Sequence, residues 1–367
     1  VPAADPAPRN PPGRAEYALA AASAFAVVLA ALAAEAILRA AAPAFLDGTR
    51  ARHPHVYSED YGWTLRAGSR YRGKGGETIT INDRGYRGAR HAARAEPGVT
   101  RVVMLGDSVA FGSGVSDAET FSALLDARPD VEVVNLAVDG YGTDQALLRL
   151  EREGLAYGPS LVVLNFCVRN DYFDNALPVA LYDGRSPKPY FTAAGDGLSL
   201  HDAHLKLTRA QRAAVWLMER SYLLNAILLG VGRKPPAVGA GRDEEDWGER
   251  RNTVLAGFDR AAELTRRLIR RAAERSAAGG AEFALVVHPD RRAWTGDPSL
   301  VTPLTSGGLG RTRVVLMQGE YAARGLAFDA IALDRLGHLS PAGHAAAARI
   351  LESVLVPPAS GAPLAQQ

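Results

Sequence analysis

Three side chains, Ser108, Asp334 and His338, hold the chemistry that this chain of 367 residues can do. Ser108 lies in residues 101–115, RVVMLGDSVAFGSGV. There a short β-branched apolar run breaks at Gly106-Asp107-Ser108 and enters a Gly-rich turn. A serine held at such a strand-to-helix turn is a nucleophile when a histidine takes its proton and a carboxylate orients the ring. The same three letters also fit an ordinary helix N-cap. Asp334 and His338 stand in DRLGHLSP, residues 334–341, just before the last helical stretch. Read alone, that segment is a polar loop with a Ser-Pro helix start. Two donors for a developing oxyanion stand in other loops: the Gly140 N–H in NLAVDGYG, residues 135–142, and the Asn170 side chain in VRND, residues 168–171. Singly, Gly140 reads as a turn glycine and Asn170 as a cap. Their joint occurrence, each after a successive apolar run, favours the chemical reading. His344, inside the last helical pattern, is expected to be structural.

The elements that must position these residues alternate. Apolar runs at 102–105, 131–136, 161–167, 283–288 and 328–332 predict five strands. Helical patterns predict helices at 119–127, 143–154, 254–277, 312–324 and 341–355. Such alternation implies a parallel sheet covered on both faces. Loops leaving the carboxyl ends of its strands share one edge, which brings Ser108, Gly140, Asn170 and His338 together.

At this point the sequence resembles the SGNH (GDSL) hydrolase superfamily. The carriers are GDSV at 106–109, N-x-x-x-x-G at 135–140, Asn170-Asp171, and Asp334 with His338, in the superfamily's order. Residues 81–88, INDRGYRG, match an element that precedes the catalytic domain in bacterial members with an N-terminal membrane segment. The resemblance implies a flavodoxin-like three-layer α/β/α fold and serine esterase or acyl-transfer chemistry. Carried over by position, Ser108 is the nucleophile, His338 the base and Asp334 the orienting acid. Ser108, Gly140 and Asn170 form the oxyanion hole. One departure stands out: Asp334 is four residues before His338, where the superfamily has three or two. If the loop does not bulge, the triad becomes a dyad or the site is degraded. Asp139 and Arg169 put charges beside the pocket, where they can bind a polar acceptor or pair with each other and block it.

Net charge of +2 gives no reason to expect nucleic acid as a partner. The lone cysteine, Cys167, excludes an intrachain disulfide and Cys-cluster metal sites, and no metal or organic cofactor is expected. Residues 17–34 are uncharged, and Glu35 interrupts the apolar run before Ile37 and Leu38. A cleaved signal peptide and a buried helix both fit; a retained anchor meeting the bilayer through residues 17–38 is favoured. Flanking arginines do not decide its orientation. The expected organisation is a disordered lead at 1–15, a transmembrane helix at 16–40, and a linker with a small β pre-domain at 41–98. A hydrolase-like domain follows at 99–356, with an insertion at 172–250 and a tail at 357–367. Within the insertion, residues 208–230 read as one unusually apolar helix, serving as a lid, a membrane-touching face, a partner contact or plain core packing. Residues 233–246 read as a loop.

The function expected from all this is a membrane-anchored serine esterase on the periplasmic side of a bacterial inner membrane. Its substrates would be ester-linked acyl groups of envelope glycans or lipids. Two alternatives stay open: a non-catalytic subunit of a larger membrane complex that keeps the fold, and an O-acyltransferase.

Overall fold

The computed structural model describes residues 13–42, 55–73, 75–182, 184–230, 251–310 and 312–356. Most of the lead, the loop at 233–246 and the tail at 357–367 lie outside the described residues. Helix α1 (Arg14–Ala41) comes first, followed by two hairpins, β1 (His55–Ser58) with β2 (Gly62–Leu65) and β3 (Arg70–Arg72) with β4 (Thr78–Thr80). The main alternation begins with β5 (Thr100–Leu105), α2 (Ser108–Phe111), α3 (Phe121–Asp126) and β6 (Val131–Asn135). It continues with α4 (Thr143–Arg152), β7 (Leu161–Cys167) and α5 (Asp171–Asn175). An insertion then supplies a hairpin, β8 (Tyr190–Ala194) with β9 (Gly197–His201), and helices α6 (Arg209–Arg220) and α7 (Tyr222–Gly230). The chain returns through α8 (Phe258–Ala278), β10 (Glu282–His288), α9 (Arg291–Trp294) and α10 (Thr302–Thr305). It ends in β11 (Arg313–Leu316), α11 (Met317–Ala323), α12 (Phe328–Ile331) and α13 (Pro341–Leu355).

Two units result. Residues 1–49 and 208–236 form one, and residues 50–207 and 237–367 the other. The larger unit is a five-stranded sheet in the order β11-β10-β7-β5-β6, with every pair parallel. This is the flavodoxin-like order. All seven residues of β7, LVVLNFC, are buried, as expected of a central strand covered on both faces. Right-handed crossovers require α3 on one face and α4 and α8 on the other, because the chain reverses direction between β6 and β7.

The sequence reading needs two corrections here. The fifth strand is Arg313–Leu316, and residues 328–331 are helical. The short Val314-Val315 run pairs in register with Leu285-Val286 of β10, and this tertiary pairing outweighs the helical pattern that follows it. Residues 208–230 are not one helix: the stretch breaks at Ser221, between α6 and α7, and a hairpin precedes it in the insertion.

The hairpins before β5 are integral to the sheet unit. Trp63, Ile79, Ile81 and Tyr86 belong to the same buried core as β5 and β7. Arg87 is the main fastener. Its guanidinium is buried and donates to the carbonyls of Phe111 at 3.0 Å, Gly112 at 2.6 Å and Val115 at 2.7 Å, and to Asp117 Oδ1 at 3.0 Å. One planar fork thus closes the turn that follows Ser108. Arg87→Ala removes the donors of three carbonyls and should destabilise the fold by about 3 kcal/mol. Urea unfolding measures it, and an unchanged midpoint would contradict this role.

Candidate active site

Ser108 opens α2, directly after β5. Its N-cap, Asp107, accepts the Val109 N–H at 2.9 Å, which leaves Ser108 at the first helical position with its own N–H outside the ladder. His338 Nε2 stands 2.9 Å from Ser108 Oγ, and His338 Nδ1 stands 2.7 Å from Asp334 Oδ2. A carboxylate only accepts, so Nδ1 carries the ring proton and Nε2 is free to accept from the serine hydroxyl. The four-residue spacing is accommodated by a bulge. Leu333 N–H donates to the His338 carbonyl at 2.7 Å and Ala332 bridges Leu339, closing the loop at its base. Within it, Asp334 Oδ1 accepts from the N–H of Leu336 at 2.9 Å and of His338 at 3.3 Å. Gly337 has φ of 91°, and a Cβ there would stand 2.7 Å from the Pro289 carbonyl oxygen. Only glycine takes that corner without strain.

Burial pushes the His338 pKa down, but the hydrogen bond and charge of Asp334, with Asp107 and Asp139 behind, outweigh it. The net shift is upward from 6.5. Burial works against ionised Asp334 too, yet the His338 contact leaves its carboxyl below the usual range.

The loop holding Gly140 lies beside the Ser108 turn. Val138 N–H donates to the Gly106 carbonyl at 3.2 Å, and the Ser113 hydroxyl donates to the Asp139 carboxylate. Trp63 Nε1–H donates to the Asp139 carbonyl at 3.1 Å. A trans peptide points its N–H opposite its carbonyl, so this bond turns the Gly140 N–H away from Trp63. Gly140 has φ of 76° and backs onto the Tyr182 ring, 2.4 Å from where a Cβ would sit. Among the described residues, no protein group accepts from the backbone N–H of Ser108 or of Gly140.

Asn170 reaches the same edge, but its amide is engaged. Nδ2 donates to Asp107 Oδ2 at 3.1 Å and to Asp174 Oδ2 at 3.2 Å. Burial pushes the Asp174 carboxyl up to about 7, and raises Asp107 as well. Asp139 and Arg169 do not pair with each other. Arg169 lies 4.0 Å from Asp290, and Asp139, raised to about 6 chiefly by burial, is held by Ser113. A cleft of about 560 Å³ opens beside Asp334, lined by Arg169, Asp290, Arg291, Phe328, Leu333 and Arg335. His344 stays out of the site: its Nδ1 accepts the Phe121 N–H at 3.1 Å, and burial lowers its pKa to about 3. Cys167 is buried and its thiol is pushed up, so it is not a thiolate.

The parallel five-stranded sheet flanked by helices is the fold that the resemblance to the SGNH hydrolases implies. No protein-family model matches the chain, and no curated protein does. Among solved structures it is similar to TesA, with 14% identity, a TM-score of 0.36, and 69% of this chain and 97% of that one covered. It is also similar to a catalytic mutant of Axe2, an acetylxylan esterase from Geobacillus stearothermophilus, with 14% identity and a TM-score of 0.35 over 71% and 95% of the two chains. A two-domain esterase active on acetylated mannans matches at 13% identity and a TM-score of 0.34, over 73% and 53%. Against the SGNH blocks, the sequence reading assigned no task to Arg87 or Trp63. Both act through backbone carbonyls far along the chain, and only Arg87's place in INDRGYRG marked it. Asp174, which shares the Asn170 amide with Asp107, carried no signal.

The His338 shift is directly measurable. Its ring should titrate above 6.5 by NMR, and Asp334→Ala should lower that titration, because the hydrogen bond and charge that oppose burial most strongly are then gone. An unmoved titration in the variant would mean that the Asp334 contact is not formed in solution.

Proposed function

We propose that this chain is a membrane-anchored serine ester hydrolase, its larger unit on the periplasmic side of a bacterial inner membrane. Its substrates are ester-linked acyl groups of envelope glycans or lipids. The observation that carries the reading is the relay Ser108–His338–Asp334, with separations of 2.9 and 2.7 Å. Ser108 Oγ attacks the ester carbonyl while His338 Nε2 takes its proton. The oxyanion so formed is met by the N–H groups of Ser108 and Gly140. The Asn170 amide joins them when it turns from one of its two carboxylates. Collapse expels the alcohol, which leaves with the proton from His338. Water, deprotonated in turn by His338, then attacks the acyl-enzyme and frees Ser108. The charged lining of the neighbouring cleft favours a polar alcohol such as a sugar over a second acyl chain. Helix α1, 28 residues and about 42 Å long, is long and apolar enough to cross a membrane, which supports the anchor.

The commitment of the Asn170 amide to Asp107 and Asp174 favours a second reading: a non-catalytic subunit of a membrane complex that keeps the fold. A sugar hydroxyl in place of water would make the same site an O-acyltransferase. A fluorophosphonate probe separates the first two readings. Wild type should label, while Ser108→Ala and His338→Ala should not, with the Tm of each variant within a few degrees of wild type. A folded wild type that does not label points to the subunit reading.

The rate carries a second test. His338 must be neutral to accept the proton, so kcat/KM should rise with pH through a pKa above 6.5 and then level off. Asp334→Ala should move this limb to lower pH and lower kcat by on the order of 10³-fold. A limb that stays in place would remove Asp334 from the relay.

A further inference from the structure

Glu35, the residue that interrupts the apolar run of α1, is spent on a second helix. Its carboxylate accepts the N–H of Tyr222 at 3.0 Å, the N–H of Leu223 at 2.8 Å and the Ser221 hydroxyl at 2.9 Å. Ser221 Oγ accepts the Leu224 N–H at 3.0 Å, and the Ser221 carbonyl accepts the Asn225 N–H at 3.3 Å. The first four N–H groups of a helix have no partner within it. In α7 the four are the N–H groups of Ser221, which the Leu217 carbonyl accepts, and of Tyr222, Leu223 and Leu224, so all are taken by protein atoms.

The same closure holds on the other side of the corner. Asn225 of α7 is buried and donates to the carbonyls of Met218 and Ser221, both at 2.7 Å. The Leu217 carbonyl accepts the Ser221 N–H at 2.8 Å. Arg39 of α1 donates to the Arg220 carbonyl at 2.8 Å, pairs with Glu35 at 2.8 Å and lies over the Tyr222 ring.

The apolar side chains are arranged the opposite way. Neither α1 nor α6 has a buried residue. Trp216 is 56% exposed, Leu217 49% and Ile227 51%. In water a helix start need not exhaust protein acceptors, because solvent serves, and apolar side chains turn inward. Backbone polar groups paired internally and apolar side chains facing out are what a lipid environment demands. Arg209, Arg212, Trp216 and Arg220 recur along one stripe of α6, with Arg220 over the Trp216 ring, a composition suited to the headgroup boundary.

We propose that the α6–α7 corner is a membrane-seated element: α7 enters the hydrocarbon beside α1, stapled by Glu35 and Arg39, and α6 lies at the headgroup boundary. The partner is the lipid bilayer that α1 crosses, so the inference rests on the anchor reading above. Glu35 is then the polar clamp between two apolar helices, at the end of the uncharged stretch of α1.

The test uses the full chain in nanodiscs of phosphatidylcholine and phosphatidylglycerol, with or without bromine on the acyl chains. Brominated lipid should quench a component of tryptophan fluorescence that Trp216→Phe removes. In a Trp216→Phe background, Ile227→Trp should restore a strongly quenched component, and adding Glu35→Ala should weaken that quenching at least twofold. Absence of quenching at both positions overturns the proposal. Alkaline carbonate extraction of native membranes separates the two failures. A chain that stays in the membrane while both reporters remain unquenched keeps its anchor and loses this corner. A chain released by carbonate loses the anchor, and the proposal with it.

Discussion

Three parallel strands ending side by side leave their loops at one edge, and the backbone groups of those loops must find partners there. The arrangement of the site follows from that constraint. β6 and β7 flank β5, so the loops with Gly140 and Asn170 flank Ser108. The fastening of those loops comes from outside the alternation. Arg87 supplies donors to three carbonyls after Ser108, and Trp63 holds the carbonyl before Gly140. Hairpins that look peripheral in sequence therefore set the shape of the central turn.

How far the site was legible depends on how local each cause is. Apolar runs of β-branched residues marked β5, β6, β7 and β10 because burial on both faces leaves no alternation to disguise them. GDSV, Gly140, Asn170 and the Asp334–His338 pair were readable because each sits where a strand or a helix must begin or end. β11 was missed because four residues beside a helical pattern carry little signal, and their pairing with β10 is not visible in the sequence. The Asp–His spacing was ambiguous for a similar reason. Whether one extra residue breaks the contact depends on Gly337 fitting against Pro289 and on the bridge from Ala332 to Leu339, both tertiary facts.

The polar economy of the two units differs. Around Asn170 the larger unit concentrates carboxylates whose charge is opposed by burial. The smaller unit hides its polar groups in one corner and turns its apolar side chains outward. Each pattern suits a different solvent, and the chain uses both within one covalent structure.

The distance along the chain between Ser108 and its base, 230 residues, also sets a timetable. Synthesis runs from the N-terminus and domains fold as units when complete. Helix α1 and the hairpins are made before the turn bearing Ser108. The imidazole that would sharpen that hydroxyl is made 230 residues after it. Until it arrives the serine is an ordinary alcohol, so the turn is chemically silent while the rest of the sheet is being made.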